Sequence, residues 1–448
     1  MIVMKFGGSS VASAEAIRRV TAIVAARRER RPVVVVSAMG KTTDTLLAIA
    51  DDAVAGRRDQ AMDRLRALEE FHLREGGSVD GRVAERFQEL TELVQGLAVL
   101  GELTPRAIDA ISSYGEQISS LIVAERFREA GLRAAHVDSR DVIVTEERHV
   151  QAAPLFRPTY ERIAAAIPPL MDSHDTVVMG GFIARNEKGV TTTLGRGGSD
   201  FTASIVGAGV GAEEIQIWTD VDGLLTTDPR VVPFVHRVKV ISFAEASELA
   251  FFGARVLHPS TLVPAIEKNI PVMILNSHRP EVPGTRIVSE RVPCKNAVKA
   301  ISCKRNITIV SIRSNRMFGA HGFLRRIFEI FDRHETSVDM VSTSEVSVSA
   351  TIDNAAALES IRREIGEFAD VEVEQDQAIV CLVGENIRFT PGIAGRAFQA
   401  LQGINVRMIS QGASLLNLGF VVAAEDVART LDALHREFFS ELDPEVFE

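Results

Sequence analysis

Ile2-Val3-Met4-Lys5-Phe6-Gly7-Gly8-Ser9-Ser10 opens the chain and carries its decisive signal. A short apolar run reads as a buried strand, a lysine stands near its end, and two glycines turn it toward a helix opening near Ser13. Such a corner is a device for holding phosphate. Glycines let backbone N–H groups approach an anion closely, and the helix aims its positive dipole end the same way. Lys5 adds a full charge that can follow a phosphoryl group as it moves. By itself the corner is equally a plain strand–turn–helix with a surface lysine. Two further segments decide between these readings.

Outward from that corner, strand and helix alternate. Pro32–Ser37 reads as a second buried strand, with helical spacing over 14–28 between the two. Residues 42–100 are rich in Ala, Leu, Glu and Arg and read as helices. Thr104-Pro105 is an N-cap followed by proline at the first helical position, for a helix running toward Ala130. Strands are expected at Thr176–Met179, Glu214–Thr219 and Val272–Leu275, and Ser242-Phe-Ala-Glu245 is a capping box. The alternation predicts a mostly parallel sheet with helices on both faces.

The pattern changes near residue 290, after Pro283-Gly284 and before Pro293. Beyond it the chain repeats itself. Val338-Asp-Met-Val-Ser matches Val406-Arg-Met-Ile-Ser, 68 positions later. Each copy runs strand, glycine loop, helix and strand, and closes with a strand and an amphipathic helix. This predicts two α+β ferredoxin-like units, paired side by side, whose strands can interleave.

Bulk numbers set limits on partners. The 448 residues are 46% hydrophobic and 25% charged, with a net charge of −10. That argues against nucleic acid or an anionic membrane surface as partner, so an anionic substrate must be met by local cations. The three cysteines, Cys294, Cys303 and Cys381, show no CxxC spacing, which excludes a cysteine zinc site and fits a reducing compartment. No metal-ligand spacing occurs among the histidines. No apolar run reaches ~18 residues and no signal-type start is present, so a cytoplasmic protein is expected.

The second deciding segment is Thr191-Thr-Thr-Leu-Gly-Arg-Gly-Gly-Ser-Asp200. Its glycines expose N–H groups before a helix from about Ser199, and Arg196 offers a planar fork suited to a carboxylate. Asp200, in the first turn, either stabilises the helix start or holds a cationic amine or a water-bridged magnesium ion. The third, Trp218-Thr-Asp-Val-Asp-Gly-Leu-Leu-Thr-Thr-Asp-Pro-Arg230, crowds acidic, hydroxyl and guanidinium groups after a strand end, where open α/β sheets place ligands. Two look-alikes are set aside. Val35 stands where a Walker A ending at Gly40-Lys41-Thr42 needs its first glycine. Gly207–Ala212 follows a helix rather than a strand, so its glycines are caps.

Together the segments resemble the aspartate kinases of the amino-acid kinase family. The resemblance rests on Lys5-Phe-Gly-Gly-Ser-Ser, Ser37-Ala-Met-Gly-Lys-Thr-Thr-Asp44, Ser113-Tyr-Gly-Glu116 and Gly181-Phe-Ile183, and on Gly195-Arg-Gly-Gly-Ser-Asp200, Thr219-Asp-Val-Asp-Gly223, Thr227-Asp-Pro-Arg230 and Gly253-Ala-Arg-Val-Leu-His-Pro259. The repeated tail resembles that family's paired ACT domains, and the overall likeness is to the monofunctional, lysine-sensitive type. It implies an α/β fold: an αβα kinase sandwich over 1–292, then ACT units over 300–375 and 376–448.

The implied reaction transfers the ATP γ-phosphoryl group to the β-carboxylate of L-aspartate, with Mg2+ on the ATP. Lys5, with the N–H groups of Gly7 and Gly8, would neutralise the transferring group. Arg196 would clamp the substrate α-carboxylate, Glu116 and Asp200 would hold its ammonium, and Thr43, Phe182 and Ser199 would shape that pocket. Thr219, Asp220, Leu225, Asp228, Arg230 and Arg255 would bind nucleotide beside Lys5, Gly8 and Ser37. Arg255 replaces the usual lysine and Leu225 a frequent tyrosine. An effector site is implied around Met317, Gly322, Leu324 and Asp339. There Gly319 and Ala320 replace the histidine and serine of the lysine-sensitive pattern, so lysine, threonine, both or neither stay open as effector. The resemblance also implies a homodimer through the ACT units, with a tetramer as the larger form. Two other readings stand beside this one: an inactive amino-acid sensor on a kinase fold, and a kinase for another amino-acid carboxylate.

Overall fold

The computed structural model describes residues 1–77, 81–253, 259–314 and 321–448. The chain forms two compact units, 1–224 with 256–290, and 225–255 with 291–448.

The first unit is built on a sheet whose strands lie in the order Ala134–Val137, Thr176–Gly180, Pro32–Val36, Ile2–Phe6, Glu214–Thr219, Val272–Asn276, Thr285–Val288. All neighbours run parallel except the last pair. Strands of almost unbroken Val, Ile and Met are what a sheet covered on both faces requires. Alternation along the first strand then decides which helix meets which residue. Ile2, Met4 and Phe6 pack into a core with helices Ala14–Ala25, Thr42–Val54, Arg58–Gly76, Gly81–Leu100 and Pro105–Glu129. Val3 faces the other way, toward Gly207 of helix Gly198–Val210. Lys5 shares the parity of Val3, so it points to the side where that helix begins. A small sheet, Val144–Thr145, Ile183–Asn186 and Thr191–Thr193, carries the glycine loop into the same helix.

In the second unit the repeat forms one antiparallel sheet. Its order is Val341–Thr343, Ser347–Ile352, Ala300–Arg313, Asp370–Val383, Asn417–Ala423, Met408–Gln411. The two central strands pair along their whole lengths, Ala300 opposite Val383 and Arg313 opposite Asp370. The first of them also pairs with Ser347–Ile352 and the second with Asn417–Ala423, so both copies share one sheet. Helices Phe323–Arg333 and Leu358–Gly366 close a core over the first copy. The repeated segment of the first copy, from Val338, is strand only at Val341–Thr343. Asp339 and Met340 instead bond Thr351 outside a regular ladder. Helix Phe243–Phe251 begins at the expected capping box of Ser242 and Glu245.

Candidate active site

Parallel register brings several strand ends to one edge of the first unit's sheet. Phe6 lies opposite Val36 and Trp218, and Val36 opposite Gly180. The residues that follow these ends open a cleft of about 300 Å³. Lys5 and Gly8 line it from the first corner, Ser37, Ala38 and Gly40 from the second, and Thr43 and Glu116 from two helices. Phe182, Gly195 and Gly197–Asp200 close it from the opposite side.

Gly8 is required here by space. A Cβ would come within 2.8 Å of the Ala38 carbonyl oxygen, and the Gly8 carbonyl accepts from the Gly40 N–H at 3.0 Å. Lys5 Nζ lies 2.7 Å from Asp200 Oδ1, with both side chains mostly buried. That oxygen makes no aligned hydrogen bond, so charge holds the pair. Asp200 sits in the first turn of helix 198–210, beside the cradle the glycines make.

Glu116 projects from helix 105–129, which approaches the strand ends because Gly115 and Gly180 have no side chains. A Cβ on Gly115 would stand 2.7 Å from that of Ala38, and one on Gly180 2.9 Å from the Glu116 carbonyl oxygen. Glu116 Oε1 accepts from the Ala38 N–H at 3.1 Å, while Oε2 is buried and unpartnered. Burial pushes this carboxyl up to about 8, against the opposing pulls of the Ala38 N–H and Lys5. The cleft thus contains a nearly neutral acid with one free oxygen, ready to ionise when a cation arrives.

The glycine loop is anchored by a residue absent from the expected set. Asp109, fully buried two helical turns before Glu116, accepts from Thr193 Oγ1 at 2.6 Å and from the Val150 N–H at 3.0 Å. Its Oδ2 lies 2.6 Å from His149 Nδ1. The signal for it was an aspartate at i−7 on the face that carries Glu116. Arg196 is exposed between Gly195 and Gly197, both left-handed at φ 76° and 72°. It does not itself line the cleft, although both neighbours do. Phe182 is also left-handed, at φ 64°. For a bulky residue this is strain that the surrounding fold must impose, and its N–H is held by Thr202 Oγ1. Ser199 packs against Gly181.

Of the expected nucleotide residues, Thr219 ends strand 214–219 and Asp220 follows it, and the Thr219 hydroxyl donates to Asp220 Oδ1 at 3.1 Å. Leu225, Asp228 and Arg230 belong to the second unit. There Arg230 and Asp228 pair at 2.7 Å, and that hydrogen bond holds the Asp228 carboxyl below its ordinary range. Arg255 and Met317 lie outside the described residues.

Among the expected effector residues, Gly322 is left-handed and opens helix 323–333, and Leu324 is exposed. Asp339 is buried, with Oδ1 2.7 Å from Lys304 Nζ and Oδ2 unpartnered. Burial raises its carboxyl above the usual range although Lys304 pulls the other way.

A parallel α/β sheet with a lysine and glycine corner facing carboxylates across a cleft defines a kinase of small carboxylate molecules. The amino acid kinase family model matches residues 1–276, and an ACT domain model matches 310–363 and 380–438. The chain belongs to the amino acid kinase family, on its aspartokinase branch. It is 39% identical to chloroplastic aspartokinase 1 of Arabidopsis thaliana, over 98% of this chain and 80% of that one. It is 37% identical to lysine-sensitive aspartokinase 3 of Escherichia coli K12, over 98% and 99% of the two chains. The crystal structure of E. coli aspartokinase III with aspartate and ADP, in the R-state, superposes with a TM-score of 0.86 at 35% identity, covering 98% of this chain and 100% of that one. The T-state crystal structure, with lysine and aspartate, gives 0.83 at 35% identity over 98% and 99%.

Proposed function

We propose that this chain is an aspartate kinase that moves the γ-phosphoryl group of ATP directly onto the β-carboxylate of L-aspartate. The observation that carries this reading is the cleft itself, where Lys5, Asp200 and Glu116, with its Oε2 unpartnered, converge on a glycine cradle. An aspartate carboxylate is already an anion at neutral pH. The reaction therefore needs no general base, and the protein has only to position two anions and neutralise the charge between them.

Lys5 leaves Asp200 for the incoming phosphate, and the Gly7 and Gly8 N–H groups share that charge. Arg196 grips the α-carboxylate, and Glu116 with Asp200 takes the ammonium. Thr43, Phe182 and Ser199 shape the pocket. Thr219 and Asp220 meet the nucleotide, and the resemblance gives Ser37, Leu225, Asp228, Arg230 and Arg255 the same role. The aspartate kinase domain is taken as 1–292 and the ACT units as 300–375 and 376–448. Asp200, beside the glycine cradle, would alternatively reach a magnesium ion carried in on ATP through a water. Magnesium there would supply charge neutralisation on the phosphates. The product is an acyl phosphate, so the cleft must exclude water while it forms.

Feedback by lysine, threonine or both belongs to the same reading, through the first ACT copy at Met317, Gly322, Leu324 and Asp339. The exposed edge strands at Val341 and Ile409 suit a homodimer built on ACT edges.

The test is acyl-hydroxamate formation from ATP, magnesium and hydroxylamine, with L-aspartate or L-glutamate as acceptor. Hydroxamate from aspartate, lost in Lys5→Ala, supports the reading. No product from folded protein turns it toward an amino-acid sensor, and preference for glutamate turns it toward a different carboxylate kinase.

A further inference from the structure

Strand Ala134–Val137 lies at the edge of the first unit's sheet, beside Thr176–Gly180. From its carboxyl end the chain passes through Asp138 into the short helix Ser139–Val142. Such strand ends are where open α/β sheets place ligands. A second cavity of about 180 Å³ opens there. It adjoins the cleft described above without being part of it. Glu116 and Phe182 line the cleft, and the next residues, Gln117 and Ile183, line the second cavity. A cavity of about 150 Å³ holds a six-carbon ring, so this one has room for a small ion and none for a nucleotide.

The lining is cationic. Arg82 and Arg86 stand one turn apart on helix 81–100 and reach the cavity from one helix face. Arg140 and His136 complete the basic groups, and Asp138 is the only carboxylate in the lining. Arg140 bonds Asp138 through Nε at 3.0 Å and Nη2 at 2.6 Å, and Arg86 bonds Glu89 at 2.8 Å. A guanidinium carries five N–H donors, so neither carboxylate exhausts its partner. With Glu89 counted, three positive charges meet two negative ones, in a chain whose net charge is −10. Arg86 and Arg140 have side chains only 27% and 22% exposed, so water screens them in part.

The wall also holds an acceptor that no residue satisfies. Gln117 Nε2 donates to Ser113 Oγ at 2.8 Å, while its Oε1 is buried without a partner among the described residues. Leaving a buried acceptor unpaired is costly. Water fills a polar cavity by default, but water cannot answer an excess of positive charge. An oxyanion that keeps a proton answers both needs, because it brings negative charge for the guanidinium groups and an O–H for Gln117.

We propose that this cavity is a second anion site, for a tetrahedral oxyanion that retains a proton, held by Arg82, Arg86 and Arg140 with its O–H turned to Gln117. Inorganic phosphate has the size, charge and proton that the cavity asks for. The site is separate from the place where Lys5 meets a phosphoryl group, and it stands whichever carboxylate the cleft accepts.

The test is calorimetric titration of the full chain with sodium phosphate at pH 7 and fixed ionic strength, without nucleotide. Malonate, a dianion with no O–H at that pH, is the second titrant. The wild type should show saturable phosphate binding that Lys5→Ala retains. Arg82→Met with Arg86→Met, which keeps both packing stems, should weaken it roughly tenfold or more, the scale of losing charge-assisted bonds. Malonate should bind more weakly than phosphate. Phosphate binding that vanishes in Lys5→Ala and survives in the double variant belongs to the cleft and overturns the inference. So does the absence of saturable binding up to about 20 mM. Malonate binding as tight as phosphate overturns the protonated oxyanion as ligand. If thermal melts show that the double variant does not fold, Gln117→Leu replaces it. That variant removes the unsatisfied acceptor, so its phosphate affinity should fall to that of malonate, and an unchanged preference for phosphate overturns the inference.

Discussion

Lys5 and Glu116, lining one cleft, solve opposite electrostatic problems. Lys5 is charged and paired with Asp200, so phosphate must compete for it. Removing it should cost about 10²–10³-fold in kcat, the scale for losing one preorganised charge stabiliser. Steady-state kinetics of Lys5→Ala, with an unchanged circular dichroism spectrum, checks this. Glu116 is held protonated by burial, with a folded pKa of about 8. Because that value lies above the ordinary glutamate range near 4.3, the folded state binds the extra proton between the two pKa values. Stability from this group is therefore lost as pH rises from about 4.5 to about 8 and is flat above. Glu116→Gln should abolish that fraction of the pH dependence, melting higher than the wild type at pH 8. The same variant lacks the carboxylate that an ammonium needs, so KM for aspartate should rise about tenfold or more. Wild-type KM for aspartate should fall as pH rises from 7 to 9. Thermal melts and kinetics across that range test both signs.

At the scale of elements, the site depends on how closely loops and helices approach. Gly8→Ala adds a Cβ that meets backbone oxygens of Ala38 and Gly40 at 2.8 Å and 3.1 Å. Neither is a flexible side chain, so the 37–40 loop must move, and KM for ATP should rise with a loss of thermal stability. Asp109→Ala takes the side-chain acceptor from the Val150 N–H and leaves the Thr193 hydroxyl only the longer bond to the Val150 carbonyl, at 3.3 Å. The expected cost is about 2–4 kcal/mol, read from a urea midpoint, with KM for aspartate raised because Thr193 immediately precedes the glycine loop. The helices and strands themselves were legible in the sequence. Thr104-Pro105 opened its helix where expected, running to Glu129. Strand Glu214–Thr219 fell on its expected bounds, because both signals are local. In the first copy, by contrast, the repeated segment from Val338 is strand only at Val341–Thr343, because an edge segment can satisfy its backbone through one threonine instead of a full ladder.

For the molecule as a whole, the buried Glu245–Lys299 pair is the most exacting joint in the second unit. Lys299→Met alone should cost about 3–5 kcal/mol by taking the ammonium from a buried carboxylate, and adding Glu245→Leu should recover only part of it, because that carboxylate also accepts from the Ser242 N–H and hydroxyl. Urea unfolding of the single and double variants measures both. The order of segments was enough to fix the fold class, the kinase corner and the repeat, since strand periodicity, glycine spacing and caps are written locally. Which residues meet was decided by tertiary structure alone. Lys5 finds Asp200 because strand parity points it toward the helix that starts at Gly198, far along the chain. The raised pKa of Glu116 comes from burial between Ala38 and Gly180, and no local pattern encodes burial. Asp339 read in sequence as a free acid for an effector, yet it is already engaged by Lys304, because antiparallel pairing brings strand 300–313 beside its own partner segments. Charge and chemistry are properties of the sequence, but desolvation and pairing exist only once distant segments are packed together.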